Sequence, residues 1–297
     1  MSDGVVVALN MHSRKASQSA ELVQELCRRH GLPIRAFHPA RDDDELLGHV
    51  KRAIAGGARA VLVGGGDGTL THAVGAFAYT KAVLGVLPLG TGNSFARTVG
   101  LDPHDLDGAI AAVAGGHVAK VDLGRCNGTY FANFATVGLS SEIADATPHM
   151  LKALAGKLAY ALAAAIPMLS GKGFRVRIRW PAGKCEFVTR DVVVCVGRYY
   201  GATPVTPEAA ADDGELALVA LEGGSAISAL ETYAAFGAHV QTMLPNAHVI
   251  RATRFRIKAK PKQLLSLDGA VMNKKNARFS VAPAALRVFV PAGGIAR

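Results

Sequence analysis

Two glycine-rich stretches hold the residues best suited to chemistry: "GGGDGT" at 64–69 and "PLGTGN" at 88–93. Glycine tolerates positive φ and lets backbone N–H groups approach an anion closely. A helix-like pattern follows each stretch, and a helix N-terminus favours phosphate. Two such loops together suit a polyphosphate. Asp67 stands among the first loop's glycines, where a carboxylate should repel phosphate. A divalent cation between them resolves the conflict, since Mg²⁺ takes one or two carboxylates together with substrate phosphates. The plain alternative for either loop alone is a tight structural turn. Neither loop is a P-loop, because G-x-x-x-x-G-K-[ST] occurs nowhere, and "GGGDGT" lacks the G-x-G-x-x-G dinucleotide spacing.

The elements around the loops set their placement. "GVVVALN" (4–10), "LPIRAFHP" (32–39), "ARAVLVGGG" (58–66) and "KAVLGVLPLG" (81–90) are predicted as strands. "SAELVQELCRRHG" (19–31), "DDDELLGHVKRAIAGG" (42–57) and "TLTHAVGAFAY" (69–79) are predicted as helices between them. Apolar strands alternating with helices indicate a parallel sheet covered on both faces. Ligands bind such sheets outside the carboxyl ends of the strands, which is where both glycine loops fall.

Beyond about residue 120 the rhythm becomes antiparallel. "VDLGRCNGTYFANFATVG" (121–138) is predicted as two strands around an Asn127-Gly128 turn. A helix-like segment (150–169) precedes the alternating runs "FRVRIRW", "DVVVCVG", "ELALVAL" and "TRFRIKAKPKQLLSLDG". "LRVFVP" (286–291) adds a strand to one part or the other. The 297 residues, half of them hydrophobic, suit two domains. The expected division is 1–122 with 284–297 as a nucleotide-binding α/β domain, and 123–283 as a β-rich substrate domain.

Net charge is +10, which favours anionic ligands, membranes or nucleic acid. Alternation places Arg175, Arg177 and Arg179 on one strand face, and Arg254, Arg256, Lys258, Lys260 and Lys262 on another. These are solvated faces or surfaces for anionic headgroups. Nucleic acid is disfavoured, because no aromatics interleave for base stacking. The four scattered cysteines suit free thiols in a reducing cytosol. The start lacks a secretory signal, and "LAYALAAAIPML" (158–169) is too short to span a bilayer. A cytoplasmic, membrane-peripheral protein is expected, and a homodimer is left open.

"GGGDGTLTHAV", "LPLGTGNSFART" and "PEAAADDGEL", in that order, resemble the diacylglycerol kinase catalytic-domain family. The resemblance covers nearly the whole chain. It implies an α/β domain related to NAD kinase, a β-sandwich-like second domain, and ATP with Mg²⁺ in the cleft between them. It further implies that the last strand returns to the first domain. Gly65, Gly66, Asp67, Gly68 and Thr69 would then bind the nucleotide phosphates, assisted by Gly90, Thr91 and Asn93, with Asn10 nearby. Asp213 would be a Mg²⁺ ligand alongside Asp67. Asp268 in "SLDGA" would be the general base taking the proton of a lipid hydroxyl; without the resemblance it is a plain turn residue.

The chain departs from the family at four acids. Ser94 replaces Asp in the second loop, Ser140 replaces Asp before Glu142, Ala270 replaces Glu after Asp268-Gly269, and Ala217 stands where Asp is common. A lipid kinase is the expected function. The alternatives are an NAD kinase-like enzyme with a soluble substrate, and a catalytically weak nucleotide- or lipid-binding relative.

Overall fold

The computed structural model describes residues 4–11, 14–141, 172–200, 209–225, 241–272 and 276–295, with isolated positions between 203 and 234. The helix-like segment 150–169 and Glu142 lie outside the described residues.

Four parallel strands form the first sheet region: β1 (Val5–Asn10), β2 (Ile34–Ala40), β3 (Ala60–Gly65) and β4 (Val83–Pro88), in the order β2-β1-β3-β4. β3 and β4 are buried along their whole length, as apolar strands covered on both faces must be. Helices α1 (Arg14–Arg29), α2 (Asp43–Ala55), α3 (Asp67–Phe77), α4 (Ser94–Thr98) and α5 (Leu106–Gly115) accompany them. Leu46, Val50, Leu70, Val74 and Phe77 pack with Val61, Val63 and Leu84 in one core cluster. Val23, Leu26, Ile110 and Val113 pack with Val5, Val7, Leu62 and Val83 in another. Asp42 caps α2, its carboxylate accepting the Glu45 N–H at 2.8 Å.

Three local details differ from the sequence expectation. α1 begins at Arg14 rather than 19. α3 begins at Asp67, so the loop carboxylate occupies the helix's first turn. α5 was not anticipated; it is capped by Asp105, which accepts the Gly108 N–H, and its small, alanine-rich repeat carries little contrast between faces.

The remainder is antiparallel: β5 (Val118–Cys126), β6 (Thr129–Phe131), β7 (Phe134–Gly138), β8 (Phe174–Trp180), β9 (Gly183–Cys195), the short pair β10 (Tyr199–Tyr200) and β11 (Thr203–Pro204), β12 (Leu216–Glu222), β13 (Ala247–Ala252), β14 (Arg254–Lys260), β15 (Leu265–Leu267), β16 (Ala270–Met272) and β17 (Ala277–Phe289). Among the described residues, eleven strands join in one path, β16-β15-β7-β9-β8-β14-β17-β4-β3-β1-β2; β12 and β13 branch from β9, β5 and β6 branch from β17, and β10 and β11 form a separate pair. β17 is the splice. Residues 277–280 pair with β14, while Val288 pairs in parallel with Leu84 of β4. Its register against β5 breaks between Ala282 and Leu286, where Ala284 has φ 49°.

Asn127 and Gly128 both have positive φ, as a two-residue hairpin turn of this kind requires. Past the turn, two strands stand where one was expected, because the chain breaks at Ala132 and Asn133 between β6 and β7. That break is part of the site.

Candidate functional site

The two glycine loops touch through backbone. A Cβ on Gly90 would lie 2.4 Å from Gly66 Cα, and one on Gly92 would lie 2.8 Å from Asp67 Oδ2. Gly64 is needed for packing as well, since a Cβ there would meet Leu9 at 2.2 Å. Glycine at these positions thus serves loop-to-loop and loop-to-core contact. Gly68 differs: it is exposed, and a Cβ there would meet nothing within 4 Å. Gly66 is the N-cap of α3 and supplies no capping side chain, which leaves first-turn N–H groups available to a ligand.

Asp67 ties the loops together. Its Oδ1 accepts the Phe95 N–H at 3.3 Å, and its Oδ2 accepts the Ser94 hydroxyl at 3.2 Å. Burial pushes its carboxyl above the ordinary range, against the hydrogen bonds from Phe95, Ser94 and Asn93 that oppose the rise. The group is half-buried. Ser94, standing where the family usually has Asp, therefore places a hydroxyl rather than a second carboxylate on Asp67.

Behind the loops lies a polar layer. Asn10 Nδ2 donates to Asp43 Oδ1 at 2.6 Å and to the Thr69 hydroxyl at 3.2 Å, while Thr69 donates to Asp43 at 2.8 Å. Thr69 is buried, so its hydroxyl braces α3 against α2 rather than facing solvent. Asp43 was missed at the sequence level, where it was only one of several acids opening a helix. Asn93, 1% exposed with φ 49°, binds the Gly90 N–H and the Gly90 and Pro103 carbonyls. It shapes the second loop from within. Thr91, Gly92 and Gly90 are the partly or fully exposed residues there.

Asp268 sits in the β15–β16 turn with φ 46°, followed by Gly269 at φ 87°. Its Oδ1 accepts the Asn133 and Phe134 N–H groups at 2.9 and 2.8 Å. Its Oδ2 accepts the Ala132 N–H at 2.7 Å and the Thr71 hydroxyl at 2.6 Å. The break between β6 and β7 exists to aim three successive N–H groups at this carboxylate. Asp268 is 4% exposed, and burial pushes its carboxyl up to about 6 despite the four donors. All four of its lone-pair positions are taken, so it has no open position for a substrate hydroxyl. Thr71 is half-buried, and its hydroxyl also lies 2.9 Å from the Asp67 carbonyl oxygen. The sequence reasoning passed over Thr71; its signal was its position one helical turn after Asp67.

Asp213, the expected metal ligand, caps a turn and pairs with an arginine. Its carboxylate accepts the Ala210 and Glu215 N–H groups at 2.9 Å each and the Arg251 guanidinium at 2.8 Å. Glu215 shares that guanidinium at 3.1 Å. A cation beside Arg251 would be repelled, and no group of three His, Cys, Asp or Glu side chains among the described residues is placed to hold a metal. Nearby, buried Asp122 accepts the Gly214 and Ala284 N–H groups at 2.7 Å each, which pins the turn to β17. Ser140 gives its N–H and hydroxyl to buried Asp191, so an acid there would set two buried carboxylates against each other. Ala217 is buried between β9 and β13, whereas Ala270 is exposed.

The basic strands are neighbours. Arg175, Arg177 and Arg179 of β8 lie opposite Lys260, Lys258 and Arg256 of β14, and Arg256 lies opposite Arg278 of β17. All of these are exposed. Glu186 pairs with Arg177 at 2.6 Å and with Arg175 at 3.5 Å.

Residues 4–126 match the family model of the diacylglycerol kinase catalytic domain, and 133–290 match that of the YegS C-terminal NAD kinase beta sandwich-like domain. A Pseudomonas aeruginosa protein named "Probable lipid kinase YegS-like" is 31% identical over 292 residues, covering 97% of this chain and 95% of the relative. A Staphylococcus epidermidis protein named "Diacylglycerol kinase" is 30% identical over 238 residues, covering 78% of this chain and 74% of the relative. A crystal structure of a diacylglycerol kinase from Bacillus anthracis superposes with TM-score 0.74 at 16% identity, over 99% of this chain and 98% of that one. A second structure from that organism reaches TM-score 0.83 at 19% identity, over 99% and 97%. Two family domains in sequence, carried on the sheet arrangement described, place the chain in the diacylglycerol kinase catalytic-domain family of kinases.

Proposed function

We propose that the chain transfers the γ-phosphoryl group of ATP, with Mg²⁺, to the hydroxyl of a diacylglycerol-like lipid. The observation that carries this reading is Thr71, which joins the phosphate loop to the expected base by contacting both the Asp67 carbonyl and the Asp268 carboxylate. The names of the relatives support the lipid branch over the soluble-substrate alternative.

The residues fit a nucleotide at the loops: Gly68 is open, and the first turn of α3 lacks a side-chain cap. They fit Mg²⁺ at Asp67, a half-buried carboxylate at the seam of the two loops, where a cation would take its place among the Phe95, Ser94 and Asn93 donors. They do not fit it at Asp213, which Arg251 occupies. Bound MgATP would supply the transferable phosphoryl group and the charge that stabilises it. Gly66 and Gly68 would hold phosphate through backbone, Gly90, its N–H held by Asn93, would let the loops approach, and Asp67 would keep the two loops at fixed spacing.

A substrate hydroxyl reaches Asp268 by way of Thr71. Its proton passes to Thr71 Oγ while the Thr71 proton passes to Asp268 Oδ2, which leaves Asp268 protonated. Phosphoryl transfer asks little more of the protein than alignment and charge stabilisation. No helix among the described residues is long and apolar enough to cross a membrane. The stacked cations of β8, β14 and β17 fit an anionic lipid surface, because like charges directly opposite each other are destabilising unless an anion lies over them.

The test is ADP release from MgATP across a lipid panel in mixed micelles, beside Asp67→Ala. Turnover with one lipid that is lost in the variant supports the reading and names the substrate. Unchanged turnover in the variant refutes it. Saturation of the Asp268 carboxylate favours one rival, a nucleotide- and lipid-binding relative without turnover. Binding of MgATP with no ADP release from any lipid would select that rival.

A further inference from the structure

A cavity of about 760 Å³ opens at the edge of the parallel sheet where β3 and β4 begin. Both strands run six residues from this edge to the glycine loops. At ~3.3 Å per residue, about 20 Å of sheet separates the cavity from the loops. It is therefore a different site, and it stands whether or not the kinase reading holds.

Its walls are of two kinds. Ile54, Val83, Val118 and Phe289 supply apolar surface, and Val118 is 40% exposed. Arg59, Lys81 and Arg287 supply charge, and no acidic residue lines the cavity. Arg287 Nη1 donates to the Lys81 carbonyl at 3.2 Å, while its Nε is buried without a partner among the described residues. An unpartnered buried donor on a charged group is costly. Directly across the ladder from Arg287 is Lys120, a like-charge pair of the unfavourable kind.

A simpler account assigns the cations to the carboxyl ends of α2, α3 and α5, which all finish near this edge. Each end carries roughly −0.5 of an elementary charge. Three of them offset about half of the formal charge of Lys81, Arg287 and the neighbouring Lys120, so the cavity stays positive. The dipoles also leave the volume unexplained. That volume falls within the range of about 300–1,000 Å³ typical of small-molecule sites.

We infer that this cavity is a binding site for an anionic amphiphile: a phosphate head held by Arg287 and Lys81, with an apolar chain against Val83, Val118, Ile54 and Phe289. Calorimetric titration with dodecyl phosphate below its micelle concentration tests it, using the full chain and the Asp67→Ala variant to discount the loops. The expected result is one ligand per chain in both proteins, with affinity reduced at least tenfold by Lys81→Glu. Lys81 is exposed, so this change spares the fold. Arg287→Gln should reduce affinity similarly, with its folding checked by thermal unfolding. Inorganic phosphate and dodecanol should each bind at least tenfold more weakly than the amphiphile. Absence of binding, or binding indifferent to Lys81→Glu and Arg287→Gln, overturns the site. Equal affinity for inorganic phosphate overturns the amphiphile class.

Discussion

Replacing Thr71 with valine removes one of the four donors on Asp268 and keeps the side chain's shape. A hydrogen bond to a charged group contributes about 1.5–3 kcal/mol, and 1.36 kcal/mol corresponds to one pH unit. The Asp268 carboxyl, already pushed up to about 6 by burial, should therefore rise by about one to two pH units in Thr71→Val. Two consequences follow, each with a definite sign. If Asp268 takes the substrate proton through Thr71, kcat falls below pH 6 in the parent protein, and the variant, which lacks the relaying hydroxyl, loses turnover at every pH. For stability, a carboxyl raised in the folded state contributes below its unfolded value near 3.9 and loses that contribution as pH rises through the folded value. The variant should then be about 1.5–3 kcal/mol less stable than the parent at pH 8, with a smaller gap at pH 4, where the carboxyl is protonated in both. Urea unfolding at pH 4, 6 and 8 and a pH–rate profile read both effects. A stability gap that does not change with pH, together with turnover retained in the variant, would refute the assigned coupling of Thr71 to Asp268.

Three further outcomes are expected. Gly90→Ala brings a methyl within 2.4 Å of Gly66 Cα, backbone against backbone; overpacking of this kind costs about 1–3 kcal/mol, and fluorescent-nucleotide titration should show weakened binding as well. Ser94→Asp sets a second carboxylate against Asp67, so its melting temperature should drop in EDTA and recover with Mg²⁺ by more than the parent's does; equal responses would remove Asp67 as a cation site. Asp213→Ala loses the turn cap and the Arg251 pair and should lower the melting temperature equally with and without Mg²⁺. A Mg²⁺-dependent difference would restore the metal reading of Asp213.

Local pattern was enough to read much of this chain. The runs 4–10, 58–66 and 81–90 are apolar but for Asn10, Arg59 and Lys81 at their ends, and the parallel strands β1, β3 and β4 follow from burial on both faces. Alternation in "FRVRIRW" matches the buried–exposed alternation of β8. Asn127-Gly128 specified its turn because both positions need positive φ. Family membership was legible in the two glycine loops and their order. α5 was not, since alanine and glycine make both faces of a helix alike.

What each polar residue does was decided only by the tertiary structure. Asp67, Asp213 and Asp268 are identical in type and all lie next to glycine, yet one bridges two loops, one holds an arginine and one is enclosed by backbone N–H groups. Their partners lie 28, 38 and 135 residues away, beyond the reach of any local pattern. The sequence by itself determined where the chain turns and which faces are apolar, because those depend on steric and hydration properties of neighbouring residues. The protonation and role of a carboxylate depend instead on which distant donors surround it and how far water is excluded, and folding alone brings those together.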